Sequence, residues 1–429
     1  MTKDTVARGL IRIGAALTLL LSFGVAQAVT YTVTTTCDDT PPVSCDGETL
    51  RDAINAADTD GITTGDTIDF RVSGTITLGS PLPGISTNLL TIDGTGRRIT
   101  ISGGTTSSYG GALFVNFLTT LNLNALTFSD NSAPTNETGL GGAIYNAGLL
   151  TVTNSKFSGN NAFYGGAIYN FLTGTLTVAN STFSGDNYAT EGGAIYSEST
   201  LSITNSIFSG NSADLGGAIV SNAALTVTNS TFSGNGAVDG GAIFTNAGPL
   251  IVANSTFSGN AAYSGGAIVG AGTFTNSTFS GNTSEELGGG GSIIAFGTVT
   301  LINTIFAGGG TNGNCNNPSV GGNAITDGGG NLSDDDSCGF SAGTSLNNVP
   351  DLGRGGLHLG KLKRNGGPTP TIALHTGSIA INWGLDSVCS APLGPPDYGA
   401  GGLDQLGQPR PTSGSCSSGA YQYEAGAVP

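Results

Sequence analysis

The sequence predicts an all-β chain wound into a right-handed, single-stranded parallel β-helix, with a short capping helix in front and a separate cap behind. Three observations carry this. Gly-Gly pairs begin at Gly110, Gly141, Gly165, Gly192, Gly216, Gly240, Gly265 and Gly290, spaced 24 to 31 residues apart, and a period of that size marks a repeat architecture. Each unit also holds short runs that alternate apolar and polar, such as Leu150-Thr151-Val152-Thr153 and Leu225-Thr226-Val227-Thr228, the period of a half-buried strand. Finally, no unit holds apolar residues at helical spacing, because Gly, Thr, Asn and Ser interrupt every candidate. Short strands separated by Gly and Asn corners pair in parallel with their copies above and below. The crossover preference makes such a coil right-handed.

Taken in order, residues 1–28 read as a secretory signal. Lys3, Arg8 and Arg12 precede an apolar run from Ile13 to Val25, and Ala26-Gln27-Ala28 fits a small-residue cleavage site, so removal after Ala28 is expected. The run is short for a membrane span, and no later segment replaces it. The formal charge of the whole chain is −16, and loss of the basic leader takes the mature chain near −18. That sign argues against nucleic acid and anionic membrane surfaces as partners. Six cysteines fall into close pairs, Cys37 with Cys45, Cys315 with Cys338 and Cys389 with Cys416, and in an oxidising compartment pairing by proximity is the simplest connectivity. Metal binding is less favoured, because no His lies near a pair and none is a C-x-x-C.

Residues 29–103 are expected to form the front cap and first coils. Thr49 caps a short helix with Asp52 three places on, and Leu50, Ala53, Ile54 and Ala57 share one face. Such a helix shields the open strand edges of the first coil. Thr67–Phe70, Gly74–Leu78, Leu90–Asp93 and Arg98–Ile101 alternate as strands. Cys45 and the segment Leu50-Arg51-Asp52-Ala53 resemble the Cys-Ser-Leu-Arg-Glu-Ala stretch at the front of secreted bacterial β-helix proteins, with Asp52 in the Glu place.

Residues 104–310 are the regular repeats. Leu150, Val152 and Phe157 recur as Leu176, Val178 and Phe183, then Leu201, Ile203 and Phe208, through to Leu250, Val252 and Phe257. These should point inward as columns stepped by about 4.8 Å. Asn154, Asn180, Asn205, Asn229, Asn254, Asn276 and Asn303 hold one place before the Phe, and an inward hydrogen-bonded Asn ladder is expected there. On that expectation the Asn-Ser-Thr triplets do not carry glycans. Gly-Gly-Ala-Ile followed by Phe-x-x-Asn, as in Phe157 to Asn160 and Phe208 to Asn211, resembles the repeat of bacterial polymorphic outer-membrane proteins. The unit at Phe183 has Asp186 in the Asn place, and the unit at Phe306 ends in Gly309. The resemblance implies a surface-associated parallel β-helix and no particular reaction.

Residues 311–350 are rich in Gly, Asn and Asp and read as loops with one further coil at Ala324-Ile325. Asp334-Asp335-Asp336 offers oxygen ligands that suit Ca²⁺, but a solvated acidic loop is the favoured interpretation. Residues 351–429 differ again. Gly366-Gly367-Pro368-Thr369-Pro370-Thr371, Ala380-Ile381, Asp404-Gln405, Pro409-Arg410-Pro411 and Cys416 to Tyr421 resemble, in order, the choice-of-anchor Q module of exported bacterial proteins, with Asn382 in place of its usual Asp. That module is expected as a second lid, stitched by Cys389 and Cys416.

Chemistry is sparse. Pectin-lyase-like solenoids host polysaccharide lyases and hydrolases, but a lyase needs a basic group and cations beside a uronate, and Lys156 is the one basic residue between 99 and 353. A hydrolase needs paired carboxylates; Asp186, Glu191, Asp214, Asp239, Glu285 and Glu286 lie in variable corners at loose spacing and read as solubilising. His358 and His375 have no nucleophile at a recognisable spacing. Outward pairs such as Thr151/Thr153, Thr226/Thr228 and Thr273/Thr275 could form an ice-binding ladder, although Ala179, Ile251, Ala253 and Ile302 break the columns and β-propensity explains most of the Thr. After each Gly-Gly-Ala-Ile, Tyr145, Tyr169, Tyr196, Val220, Phe244 and Val269 take the parity opposite to the Ile. Either they form an exposed aromatic column suited to carbohydrate or protein, or a loop covers them. The sequence thus assigns no catalytic residue, no cofactor and no metal ligand. It points to a monomeric, exported cell-surface scaffold whose partner is a carbohydrate or a surface protein, with a pectin-lyase-type enzyme as the alternative.

Overall fold

The computed structural model describes residues 27–423, apart from 41–42, 61–64, 105–108, 317–323, 396–397 and 415. Most of the expected signal segment lies outside the described residues. What is described is an all-β parallel solenoid. The Phe-bearing strands form an eleven-stranded sheet from Gly74–Thr77 to Leu332–Ser333. The Leu-x-Val strands begin one coil ahead of the expected Thr67–Phe70, at Thr30–Val33, and stack through to Ala324–Asp327. Gly-Gly-Ala-Ile strands stack from Leu113–Val115 to Cys315–Asn316. These last two faces fuse where Ile268–Thr275 and Ile293–Ile302 run through the corner, giving one sheet of nineteen strands. A short three-stranded sheet, Gly236–Asp239, Ala261–Ser264 and Thr283–Ser284, adds a further side to later coils.

Register keeps like on like: Leu150 pairs with Leu176, which pairs with Leu201, then Leu225 and Leu250. The expected columns are all inside, and from Phe128 to Phe306 the rings stack at 4.6–5.0 Å between centroids and within 10° of parallel. Strand spacing imposes that distance. Both members of the Gly-Gly pair are needed. The first sits at φ between 57° and 72° at every repeat, a region that L side chains avoid. At the second, a Cβ on Gly142 would lie 2.1 Å from the Gly166 carbonyl oxygen of the next coil.

The inward Asn ladder is overturned at the predicted position. Asn154 through Asn303 are corner residues at φ 46–51°, where Asn is tolerated because its short polar side chain relieves the left-handed conformation. Asn154 and Asn180 are exposed, so the objection to a glycan fails at Asn180. The internal ladder belongs instead to the Asn of Phe-x-x-Asn. Asn131, Asn160, Asn187, Asn211, Asn235, Asn260 and Asn282 are buried, and each Nδ2 donates to the Oδ1 of the next at 2.9–3.0 Å. Asn187 fills the rung because Asp186 is an extra residue, bulged at φ 60°. A second ladder runs through Ser155, Ser181, Ser206, Ser230 and Ser255, whose backbone N–H groups donate to the hydroxyl of the following coil.

At the front, Thr49 and Asp52 make the expected reciprocal cap on the helix Leu50–Thr59, whose buried face is Leu50, Ala53, Ile54 and Ala57. Arg51 ties it down with a two-pronged contact to Asp38 and donations to the Ser80 and Pro81 carbonyls. All three disulfides join near neighbours in sequence. The C-terminal module is not a lid over the last coil alone. It lies along the side of the solenoid: Thr369 donates to the Asn229 carbonyl, Asn254 to the Ala400 carbonyl, Thr275 to the Tyr398 carbonyl, and Ser418 to the Gly330 carbonyl. Asn254, Asn276 and Asn303 are buried because this module covers them. Its motif residues serve the contact: Gln405 bridges Ser230, Thr231 and Thr256, while the buried Arg410 reaches Asn254 and the carbonyls of Leu403, Ser417 and Gly419.

Candidate binding surface

Because Ile144, Ile168 and Ile195 point into the core, the residue after each leaves the tube on its outer side. Phe114, Tyr145, Tyr169 and Tyr196 therefore stack in register, with centroids 4.9, 5.5 and 5.4 Å apart. They are not open to solvent. Tyr145, Tyr169 and Tyr196 keep 5–8% exposure, because the residues just before each Gly-Gly pair form a covering column, Leu140, Tyr164, Glu191, Leu215 and Asp239, and Phe171 closes the other side. The exposed-column expectation is corrected, and the covered alternative holds.

Two carboxylates edge this cluster. Burial raises Glu191 above the ordinary carboxylate range. Glu198, in a turn with no counterpart acid in the neighbouring coils, faces Tyr169; burial and then this carboxylate push that phenol well above its usual value. Burial also pushes Tyr145 and Tyr196 up to about 12. Asn222 donates to the Tyr196 hydroxyl at 2.8 Å. The phenols therefore hold their protons at neutral pH. Of the six corner acids, the structure brings Glu191 and Asp239 into one column with Leu215 between them. Burial, then Glu286, raises Asp239, against a hydrogen bond from Ser264. Asp186 sits at a different corner.

The solvent-facing feature lies where the chain leaves the tyrosine strand. Phe117, Leu118, Leu149 and Leu172 are exposed, Leu118 at 74% and Leu172 at 64%. Their turns are stacked by the coil register and by Asn146 donating to Asn170 at 2.7 Å. Asn-Phe-Leu-Thr occurs at both 116–119 and 170–173, but turn residues vary from coil to coil, so a repeated turn does not by itself signal a surface. An apolar strip over consecutive coils marks a contact surface.

Other candidates resolve differently. Thr228 is buried, bonded to the Thr204 hydroxyl, and Thr275 is buried beneath the C-terminal module, so the threonine pairs do not make a continuous outward ladder. Asp334 and Asp335 are structural acceptors, not a free acidic loop: they take hydrogen bonds from Gly308, Asn314 and Ser337. Among the described residues no group of three or more His, Cys, Asp or Glu side chains is placed to hold a metal. His358 faces the Gly353 carbonyl through Nε2. No helix of the described residues is long and apolar enough to cross a membrane.

The Chlamydia polymorphic membrane protein repeat family matches residues 125–147 and 229–246. No characterised protein matches the chain in sequence. Among solved structures, the crystal structure of Jun a 1, the major allergen from cedar pollen, is similar at 20% identity and a TM-score of 0.30, over 59% of this chain and 66% of that one.

Proposed function

We propose that the chain is an exported cell-surface β-helix scaffold that binds a carbohydrate or protein partner along its side and does not catalyse a reaction. The observation that carries this is the strip of Phe117, Leu118, Leu149 and Leu172, exposed at the turns of stacked coils. Support comes from the polymorphic membrane protein repeats, from three disulfides that suit an oxidising compartment, and from a leader-like start. The front segment and the rear module resemble those of secreted and surface-anchored bacterial proteins. Against an enzyme stands the setting of Glu191 and Glu198, which edge packed tyrosine rings rather than an open cleft.

The test is a glycan and extracellular-matrix array probed with the mature chain and with a Phe117→Ser, Leu118→Ser, Leu172→Ser variant. Capture by the wild type that drops at least about tenfold in the variant, the size expected for losing buried apolar anchors, upholds the proposal. Equal capture by both sinks it. Release of unsaturated products from uronate polymers would establish the lyase instead.

A further inference from the structure

On the outer side of the Phe-bearing sheet, one column of positions runs the length of the solenoid in register. Its first half is Thr100, Thr127, Lys156, Thr182 and Ile207. Its second half is Thr231, Thr256, Thr278, Ile305 and Leu332. The second half is buried beneath the C-terminal module, which uses its hydroxyls: Thr231 donates to the Pro370 carbonyl, Thr256 to Gln405, and Thr278 accepts from the Ala420 N–H. Coverage ends at a small hollow that Arg364 and Pro368 line together with Asn180, Thr182, Asn205 and Ile207. The same face then continues, uncovered, into a groove of about 580 Å³ lined by Arg97, Arg98, Thr100, Thr127, Asn154 and Lys156.

Charge distinguishes this groove. The chain carries −16 overall and no basic residue between 99 and 353 except Lys156. Coiling nevertheless sets Lys156 on the same groove as Arg97 and Arg98, two coils away in the stack. No carboxylate lines the groove, and among the described residues none pairs with these three cations. Arg97 is held in place by its Nε donating to the Phe70 carbonyl at 3.0 Å. Clustered, unneutralised cations on a low-dielectric wall attract an anion.

We propose that this groove binds an acidic polysaccharide, laid along the column in line with the C-terminal module. Its carboxylate or sulfate groups would meet Arg97, Arg98 and Lys156, and its hydroxyls Thr100, Thr127 and Asn154. A peptide fits less well, because the strands here are already paired on both sides and offer no free edge. The module of a second copy is disfavoured by its own Lys361, Lys363 and Arg364. The coil step of about 4.8 Å is close to the advance of one sugar in an extended chain. This site lies on a different face from the apolar strip, so either can fail without the other.

The experiment measures binding of the mature chain to immobilised alginate, dextran sulfate, neutral dextran, polyglutamate and single-stranded DNA. The variants are Arg97→Gln, Arg98→Gln, Lys156→Gln together, and Lys361→Gln, Lys363→Gln as the control. The expected result is binding to alginate or dextran sulfate that weakens steeply with salt and falls at least about tenfold in the triple variant, as for loss of several charge contacts. Dextran should not bind, and the control should match wild type, with unchanged melting curves throughout. Preference for alginate or for dextran sulfate identifies the acidic group. Undiminished binding by the triple variant, binding to no polyanion, or equal binding to dextran, polyglutamate or DNA would overturn the proposal.

Discussion

At the residue scale, the decisive distinction is between two asparagines per coil. Asn187 is an internal rung: its Oδ1 accepts both the backbone N–H and the Nδ2 of Asn160, and its own Nδ2 donates onward to Asn211 and to the Phe157 carbonyl. Replacing it by Ala strands those buried groups, and Asn187→Ala should cost about 1–3 kcal/mol or more in urea unfolding. Asn154 is an exposed corner at φ 50°, so Asn154→Gly should be neutral within about 0.5 kcal/mol. Equal losses would contradict the assignment of the ladder. Both asparagines recur at the same period, and only the direction of each side chain separates them, so repetition alone could not tell which was inside. A titration belongs at this scale too. Burial acts to raise Asp327, but hydrogen bonds from Ser345, Ala342, Asn331 and Gly329 outweigh it and hold the carboxyl below its ordinary value. A lowered folded pKa contributes stability above the unfolded value, lost as pH falls through the folded one. Amide exchange in 341–345 should therefore accelerate below the ordinary Asp range, and Asp327→Asn should remove that acid dependence.

At the element scale, the Phe column was plainly legible, because an inward Phe at each period has only its own copy to meet. Phe208 is fully buried between Phe183 and Phe232, and Phe208→Ala should cost about 3–5 kcal/mol by the cavity it leaves, read as a lowered unfolding midpoint. The tyrosine column was legible in position and parity but not in exposure. Whether Tyr145, Tyr169 and Tyr196 see water depends on Leu140, Tyr164 and Phe171 folding over them, at corner and turn positions whose residue changes from coil to coil, as in Leu140, Tyr164, Glu191, Leu215 and Asp239. Changing the three tyrosines together to Ser should lower the thermal midpoint sharply, since three buried rings are lost. A midpoint within a few degrees of wild type would mean that the rings are not packed as described.

At the scale of the whole molecule, the C-terminal module decides which faces are free. It covers the corner and outer face from Asn229 to Gly330 and leaves the earlier coils open. Gln405 is its central contact, its buried side chain bonded to five groups of the solenoid and module. Gln405→Ala should loosen the module, making the Thr231, Thr256 and Thr278 strands exchange amide hydrogens faster while Thr127 and Thr182 are unaffected. Uniform change along the solenoid would argue against a lateral attachment.

Local chemistry by itself determined the coil: alternation chose strands, the Gly-Gly pair chose the tight corner and close backbone contact, and a constant period forced like residues into columns. The helix cap at Thr49 and Asp52 and the pairing of near cysteines were equally local and equally readable. Only the tertiary structure decided what lies on top of what. Thr182 and Thr256 occupy the same place in the repeat, yet one is half-open and the other buried under Gln405, about 150 residues away in the chain. The meeting of Arg97, Arg98 and Lys156 is of the same kind, for stacking brings together residues that sequence separates by two coils.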